Sequence, residues 1–297
     1  MEEKRILITG SSGLVGTYFC RLTALKKYRV YTLFHLEPTN FGDSFSVDLS
    51  NSPGVFRQVL NEVEPDIIVH LAAMTNVDQC EIERNAADKV NHLSVKELVN
   101  YMANNKECFL LYVSTDYVFD GEKGDYVEAD ETNPINWYGM TKLFGEQELL
   151  DCNSERWGIA RTSTPFGVHA KKLNFPSFVV KNLSQEHEIN VLTDQITSPT
   201  YALNLAEMML ELIDNRVKGI MHLSGSSQIS RFNQALEIAS AYDLDKDLIK
   251  PASIEEMRWK ARRPKNSSLN IKKAYNTLTK KPMEFKESLL LFAAELH

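Results

Sequence analysis

The chain has 297 residues, 43% hydrophobic and 25% charged, with a net charge of -7. These proportions are ordinary for a globular protein and allow one large α/β unit or a domain with a smaller lobe. The acidic balance argues against a nucleic-acid-binding face, which needs clustered Lys and Arg, and the run KARRPK at 260–265 is too short to reverse it.

The N-terminus, MEEKRILITG, leads straight into a strand, so no signal peptide is expected. TGSSGLVG follows, with Gly10, Gly13 and Gly16 between the strand Arg5 to Thr9 and a helix. Such glycines permit a tight turn and close approach to a pyrophosphate, and the helix N-terminus favours its negative charge. Ser12, Leu14 and Val15 belong to the same dinucleotide-binding turn. The spacing is G-x-x-G-x-x-G, one residue longer than the common form.

RVYTLF reads as the second strand and ends at Phe34 and His35, with no carboxylate before Glu37. An acidic residue there accepts the ribose hydroxyls of NADH. Its absence tilts the expectation to NADPH with NADH still open, and His35 is either a contact to the 2′-phosphate or a solvent-facing loop residue. FSVDL is a short strand before Asp48 and Leu49. Asp48 can accept from an adenine amino group or cap the next helix, GVFRQVLNEVEPD. DIIVHLAA ends in Leu71, Ala72 and Ala73, small enough for a cofactor to lie close, although core packing also uses alanines.

A helical stretch, ERNAADKVNHLSVKELVNYMANN, precedes the apolar strand CFLLYVSTD. Strands alternating with helices predict a parallel, doubly wound sheet with helices on both faces, and near-continuous apolar strands fit a sheet buried on both sides. An acidic stretch, DGEKGDYVEADETNPINWYG, reads as solvated turn.

Next, NWYGMTKLFGEQELL places Tyr138 and Lys142 four residues apart, on one face of a predicted helix. A nearby cation and preorganised hydrogen bonds favour a phenolate, and lowering a Tyr from about 10 to about 7 takes about 4 kcal/mol. That tuning suits a general acid near neutral pH. Spacing alone is weak evidence, because Tyr242 and Lys246 repeat it in AYDLDK.

After the strand RWGIAR the loop TSTPFGVHAKKLNFPSF breaks the rhythm. A helix is expected at 178–184, a strand at 189–192, a helix at 201–214 and a strand at 219–223. The C-terminal third reads as mostly helical, with a capping box at Ser253 and Glu256. The expected division is a Rossmann-type dinucleotide-binding domain over 1–165 and a smaller, mostly helical substrate lobe over 166–297, interleaved with it.

Cys20, Cys80, Cys108 and Cys152 are widely spaced, which supports neither zinc nor a disulfide framework and fits a cytoplasmic protein. Apolar runs such as LLLFAA fall far short of the roughly 20 residues of a membrane span. The composition leaves room for a homodimer.

TGSSGLVG, HLAAMTNVDQCE, VSTDYVFDG, YGMTKLFGE, DQITSPTY and ARRPKNSSL occur in an order that resembles the extended short-chain dehydrogenase/reductases, and within these the dTDP-4-dehydrorhamnose reductases. The likeness runs from residue 5 to about residue 270. It implies an NADPH-dependent oxidoreductase that reduces a 4-keto nucleotide sugar, dTDP-4-dehydro-L-rhamnose, in dTDP-rhamnose biosynthesis. By the same resemblance Thr115 hydrogen-bonds the carbonyl, Tyr138 protonates the developing alkoxide, and Lys142 tunes Tyr138 and holds the nicotinamide ribose. Thr75, Val77 and Asp116 are implied to face the sugar, and Arg263 and Asn266 the nucleotide. Two other readings stay open. One is an epimerase or dehydratase of the superfamily. The other is a non-catalytic regulatory subunit, since that of methionine adenosyltransferase resembles this branch.

Overall fold

The computed structural model describes residues 3–105, 107–171 and 173–296, so Lys172 of the predicted substrate loop lies outside the described residues. The first half follows the alternation of apolar and amphipathic segments. Strand β1 (Lys4–Thr9) leads through the glycine turn into helix α1 (Leu14–Ala24), then β2 (Tyr28–Phe34), β3 (Asp43–Ser46) and α2 (Pro53–Val63). Strand β4 (Ile67–His70) is followed by α3 (Val77–Ile82), α4 (Arg84–Asp88), a π turn (Lys89–Leu93) and α5 (Ser94–Asn104). Strand β5 (Phe109–Thr115), helix α6 (Trp137–Leu150) and strand β6 (Trp157–Thr162) complete this part.

The later elements are short. They are β7 (Pro165–Phe166), α7 (Phe175–Leu183), β8 (Ile189–Leu192), β9 (Ile196–Thr197) and β10 (Thr200–Tyr201), then α8 (Ala202–Asp214) and β11 (Gly219–His222). After these come β12 (Ile229–Ser230), α9 (Arg231–Ala241), β13 (Ile249–Ala252), α10 (Lys272–Thr277) and α11 (Phe285–Leu296).

Among the described residues, seven strands form one sheet in the order β11-β6-β5-β4-β1-β2-β3, every neighbouring pair parallel. The chain runs outward from β1 through β2 to β3, then returns to place β4 on the other side of β1. That reversal opens a crevice above the carboxyl ends of β1 and β4, where ligands of such sheets bind. The central strands are buried on both faces, with Ile6, Ile8 and Val69 in one core and Leu7, Ile68 and Leu110 in the other. This is why they read as unbroken apolar runs.

Residues 202–222 return to the main unit, α8 packing in the same core as α1 and β11 extending the sheet beyond β6. A third core, including Phe166, Val179, Ile238 and Phe292, joins α7, α9 and α11 into the smaller lobe. The Ser253–Glu256 capping box is present, closing one 3-10 turn at Ile254–Glu256. The C-terminal third holds more extended chain than its composition indicates, because 257–271 crosses the molecule as loop.

Candidate active site

The turn after β1 is shaped by close approach. Gly10 has φ +65°, and a Cβ there would lie 2.7 Å from the backbone nitrogen of Ala72. A Cβ on Gly16 would lie 2.3 Å from the carbonyl oxygen of Gly10. Both contacts are with backbone, which cannot swing aside. Gly16→Ala is therefore expected to lower the melting temperature by several degrees and weaken dinucleotide binding at least tenfold, as read by fluorescence titration. Unchanged binding would separate this turn from the cofactor.

The turn opens on a cavity of about 780 Å3, within the range of small-molecule sites. Gly10, Ser12, Gly13, Leu14, Val15 and Gly16 form its floor. Leu71, Ala72 and Ala73 form the adjacent wall. The Thr9 hydroxyl holds that wall in place, accepting from the backbone nitrogens of Leu71 and Ala72 at 3.1 Å each. His35, Asp48 and Leu49 line the far end. His35 is largely exposed, with Nε2 3.8 Å from the Asp48 carboxylate. Asp48 accepts from the Ser50 hydroxyl at 2.6 Å and from Asn51 at 2.8 Å, and these bonds hold its carboxyl down to about 2. Its carboxylate thus braces its own turn, while Ser52 takes the N-cap position of α2.

The opposite end carries the titratable groups. Asn136 caps α6, accepting from the backbone nitrogen of Gly139 at 2.9 Å. The helix then presents Tyr138 and Lys142 to the cavity, and Thr115 reaches it from the end of β5. Lys142 Nζ donates to the Val113 carbonyl at 2.8 Å and lies 4.1 Å from the centre of the Tyr112 ring. Burial lowers the Lys142 ammonium to about 7, with Glu146 opposing.

Burial raises the Tyr138 phenol above the ordinary tyrosine value, with a hydrogen bond from Thr115 opposing. This is the reverse of the direction expected from the Tyr–Lys spacing. The reason is that desolvation dominates and the ammonium is directed at a backbone carbonyl. The control pair differs in kind: Tyr242 closes α9 and Lys246 opens a separate 3-10 turn, so they share no helix face.

Lys142 has a consequence for stability. With its folded value near 7 against the ordinary lysine value of 10.5, the unfolded chain binds more protons between those limits. The Lys142 contribution therefore rises with pH across that window, and the burial penalty is fully present below pH 7. The stability advantage of Lys142→Met over the unaltered chain should shrink by a few kcal/mol between pH 6.5 and pH 10 in urea titrations. A pH-independent difference would place the ammonium in water.

On the substrate side, Thr75, Val77 and Asp116 line the same cavity. Asp116 is buried and takes hydrogen bonds from Thr115 at 3.0 Å, Ser163 at 2.8 Å and Ser267 at 2.6 Å. Burial raises its carboxyl, those three hydroxyls opposing. It joins the ends of β5 and β6 to the 261–269 segment and orients the Thr115 hydroxyl.

Arg263 and Asn266 do not line the cavity. Arg263 pairs with Asp78 at 2.8 Å and stacks on Trp259, its guanidinium carbon 4.8 Å from the ring centre. Asn266 accepts from the Ser268 hydroxyl at 2.7 Å. The pull of Asp78, across 185 residues of sequence, holds the Arg263 guanidinium outside the cavity.

Sequence reasoning passed over several wall residues, including Ser114, Thr162, Thr164 and Arg231. Thr164 has φ +40°, which for a β-branched residue marks a constrained backbone. The buried hydroxyls of Ser114 and Thr162 have no partner among the described residues. The glycine cradle and these two unsatisfied hydroxyls fit a bound dinucleotide.

Comparison with known proteins agrees with this arrangement. The family model "RmlD substrate binding domain" matches residues 4–297. The chain is 31% identical to the probable low-salt glycan biosynthesis reductase Agl14 of Haloferax volcanii, over 89% of each chain. It is 30% identical to methionine adenosyltransferase 2 subunit beta of Rattus norvegicus, over 92% of this chain and 82% of that one. Among solved structures, the dTDP-4-dehydrorhamnose reductase of Bacillus anthracis in complex with NADP is 31% identical, with a TM-score of 0.87, covering 99% of this chain and 100% of that one. From its first strand to its last helix, this chain belongs to the RmlD substrate-binding-domain family, in the dTDP-4-dehydrorhamnose reductase branch of the extended short-chain dehydrogenase/reductases.

Proposed function

We propose that the chain uses NADPH to reduce the 4-keto group of dTDP-4-dehydro-L-rhamnose, giving dTDP-L-rhamnose. One observation carries this reading: Tyr138, Lys142 and Thr115 share a single cavity with the glycine cradle. When bound, the cofactor supplies the hydride that becomes the new C–H bond at C4. The oxygen then needs a proton, and Tyr138 is its donor. Thr115 stands beside that oxygen and donates to it when its hydroxyl proton turns from Asp116. Lys142, in the wall beside Tyr138, supplies positive charge as the phenolate forms. Gly10, Gly13 and Gly16 hold the diphosphate of the cofactor, and His35 stands at its ribose end. The segment 166–201 and the lobe after residue 222 supply the substrate side.

The reading places the enzyme in the cytoplasm, which the free cysteines support. No helix among the described residues is long and apolar enough to cross a membrane. The test is NADPH oxidation, followed by absorbance, with dTDP-4-dehydro-L-rhamnose generated in place. Sugar-dependent oxidation is expected, and its absence in protein that binds NADPH would defeat the assignment. The likeness to the adenosyltransferase beta subunit motivates a second reading, a regulatory subunit that keeps the cofactor site. Recovery of a stoichiometric adenosyltransferase partner, with no keto-sugar turnover, would favour it.

A further inference from the structure

Arg231 is the first residue of α9, behind the N-cap Ser230, and it reaches the cavity from the lobe side. Its backbone nitrogen donates to the Gln195 carbonyl at 2.9 Å, which fixes its origin. The guanidinium lies over the Phe175 ring, 4.8 Å from its centre. Among the described residues its side-chain hydrogen bonds are two long ones, at 3.4 Å each, to the amide oxygens of Gln195 and Gln234. Among the described residues no carboxylate lies within ion-pair distance of it. Arg161 and Arg263, by contrast, are committed to Glu146 and Asp78. The nearby acid, Asp116, already takes three hydroxyl donors.

A partly buried cation with only weak neutral partners is costly, and a guanidinium presents a planar fork suited to phosphate. Its position relative to the reacting end is also set. The Tyr117 ring packs edge-on against Tyr138, centres 6.0 Å apart. Gln195 then reaches from the Tyr117 hydroxyl, at 3.4 Å, to Arg231. C1 and C4 lie at opposite ends of a pyranose ring. A sugar whose C4 oxygen meets Tyr138 can therefore direct an anion at C1 toward the wall where Arg231 stands.

We infer that Arg231 is the anchor for the diphosphate that links sugar to nucleoside, and so selects nucleotide-activated sugars over free ones. This inference rests on the proposed reductase reading and names the group recognised at that same site. Arg231 acts on affinity. Arg231→Gln should therefore raise KM with little change in kcat, and Arg231→Lys should recover part of the loss.

The decisive experiment is calorimetric titration of the NADP-saturated protein with dTDP and, separately, with inorganic pyrophosphate. Saturation with NADP keeps both probes off the glycine turn. Arg231→Gln should weaken both probes roughly thirtyfold to a hundredfold while NADP affinity stays unchanged. Pyrophosphate binding that depends on Arg231, with dTDP no tighter, would support the anchor and overturn the thymidine nucleotide instead. If Arg231→Gln binds both probes like the unaltered protein, or if the unaltered protein binds neither, the anchor is overturned whether or not a keto-sugar is reduced. An equal loss of NADP affinity in Arg231→Gln would also overturn it, by showing a structural role.

Discussion

Tyr138→Phe should lower turnover by roughly 10²- to 10⁴-fold, the usual contribution of a positioned proton donor. NADPH affinity should change by less than about twofold, because the aromatic ring that remains keeps its place in the cavity wall and against Tyr117. The effect should fall on kcat and kcat/KM together, since the lost interaction develops only as the oxygen gains charge. Tyr242→Phe is the matched control. Its hydroxyl is buried without a partner among the described residues, so its removal should be neutral or slightly stabilising and leave kinetics untouched. Steady-state rates and cofactor titration for the two variants decide the matter, and comparable activity in Tyr138→Phe would remove the proton donor from the mechanism.

The second large effect is expected at Glu146. Tyr138, Lys142 and Glu146 are spaced by four residues along α6, so the helix face that carries the chemistry continues into a buried ion pair. Glu146 meets Arg161 of β6 through Nε at 3.0 Å and Nη2 at 2.6 Å, both side chains almost wholly buried. Arg161 also lies over the Phe119 ring, 5.1 Å from its centre. Glu146→Ala leaves a guanidinium buried without its counter-ion and should cost about 3–5 kcal/mol. The melting temperature should fall on the order of 10 °C. Replacing both partners, as Glu146→Leu with Arg161→Met, should recover most of the loss, because the stranded charge disappears with its partner. Differential scanning calorimetry of the single and double variants tests this. A double variant no more stable than Glu146→Ala would show that packing of α6 on β6, rather than charge, sets the energy.

The sheet was legible because its strands are buried on both faces. Ile6 to Thr9, Ile67 to His70 and Phe109 to Thr115 are nearly unbroken buried runs, and no solvent-facing alternation obscures them. The lobe was less legible. The predicted helix at 178–184 begins at Phe175, because Pro176 sits in the first turn, where a missing N–H costs nothing. Strand β13 reads IKPA and, among the described residues, lies in a two-stranded sheet with β8, so Pro251 at a sheet edge concealed it.

The site divides in the same way. Gly10 to Gly16 and Tyr138 with Lys142 are local patterns, each carried by one turn or one helix. Arg231 has no local signature in ISRFNQ, and its place in the wall comes from α9 packing against α7 in the lobe core. Arg263 shows the converse: the resemblance implies a place beside the nucleotide, and its guanidinium pairs with Asp78. The Tyr138 shift also runs opposite to the direction its spacing suggests. Spacing reports which groups share a face, but not how much water is excluded or where an ammonium points.

The last helix has a consequence for how the molecule comes into being. Glu295, at the end of α11, accepts from the Tyr18 hydroxyl of α1, and Tyr18 in turn accepts from the backbone nitrogen of Val168 at 2.9 Å. Phe285, Leu289 and Phe292 of the same helix fill the core shared with Phe166 and α9. During synthesis the main sheet gains its last strand once β11 has left the ribosome, and its core closes when Ala274 and Leu278 follow. The lobe has to wait for nearly the final residues, which close it against the first helix made. A nascent chain thus holds a finished cofactor cradle beside an unfinished lobe. Premature termination between α10 and α11 would leave a product with its main core complete but its lobe core without Phe285, Leu289 and Phe292.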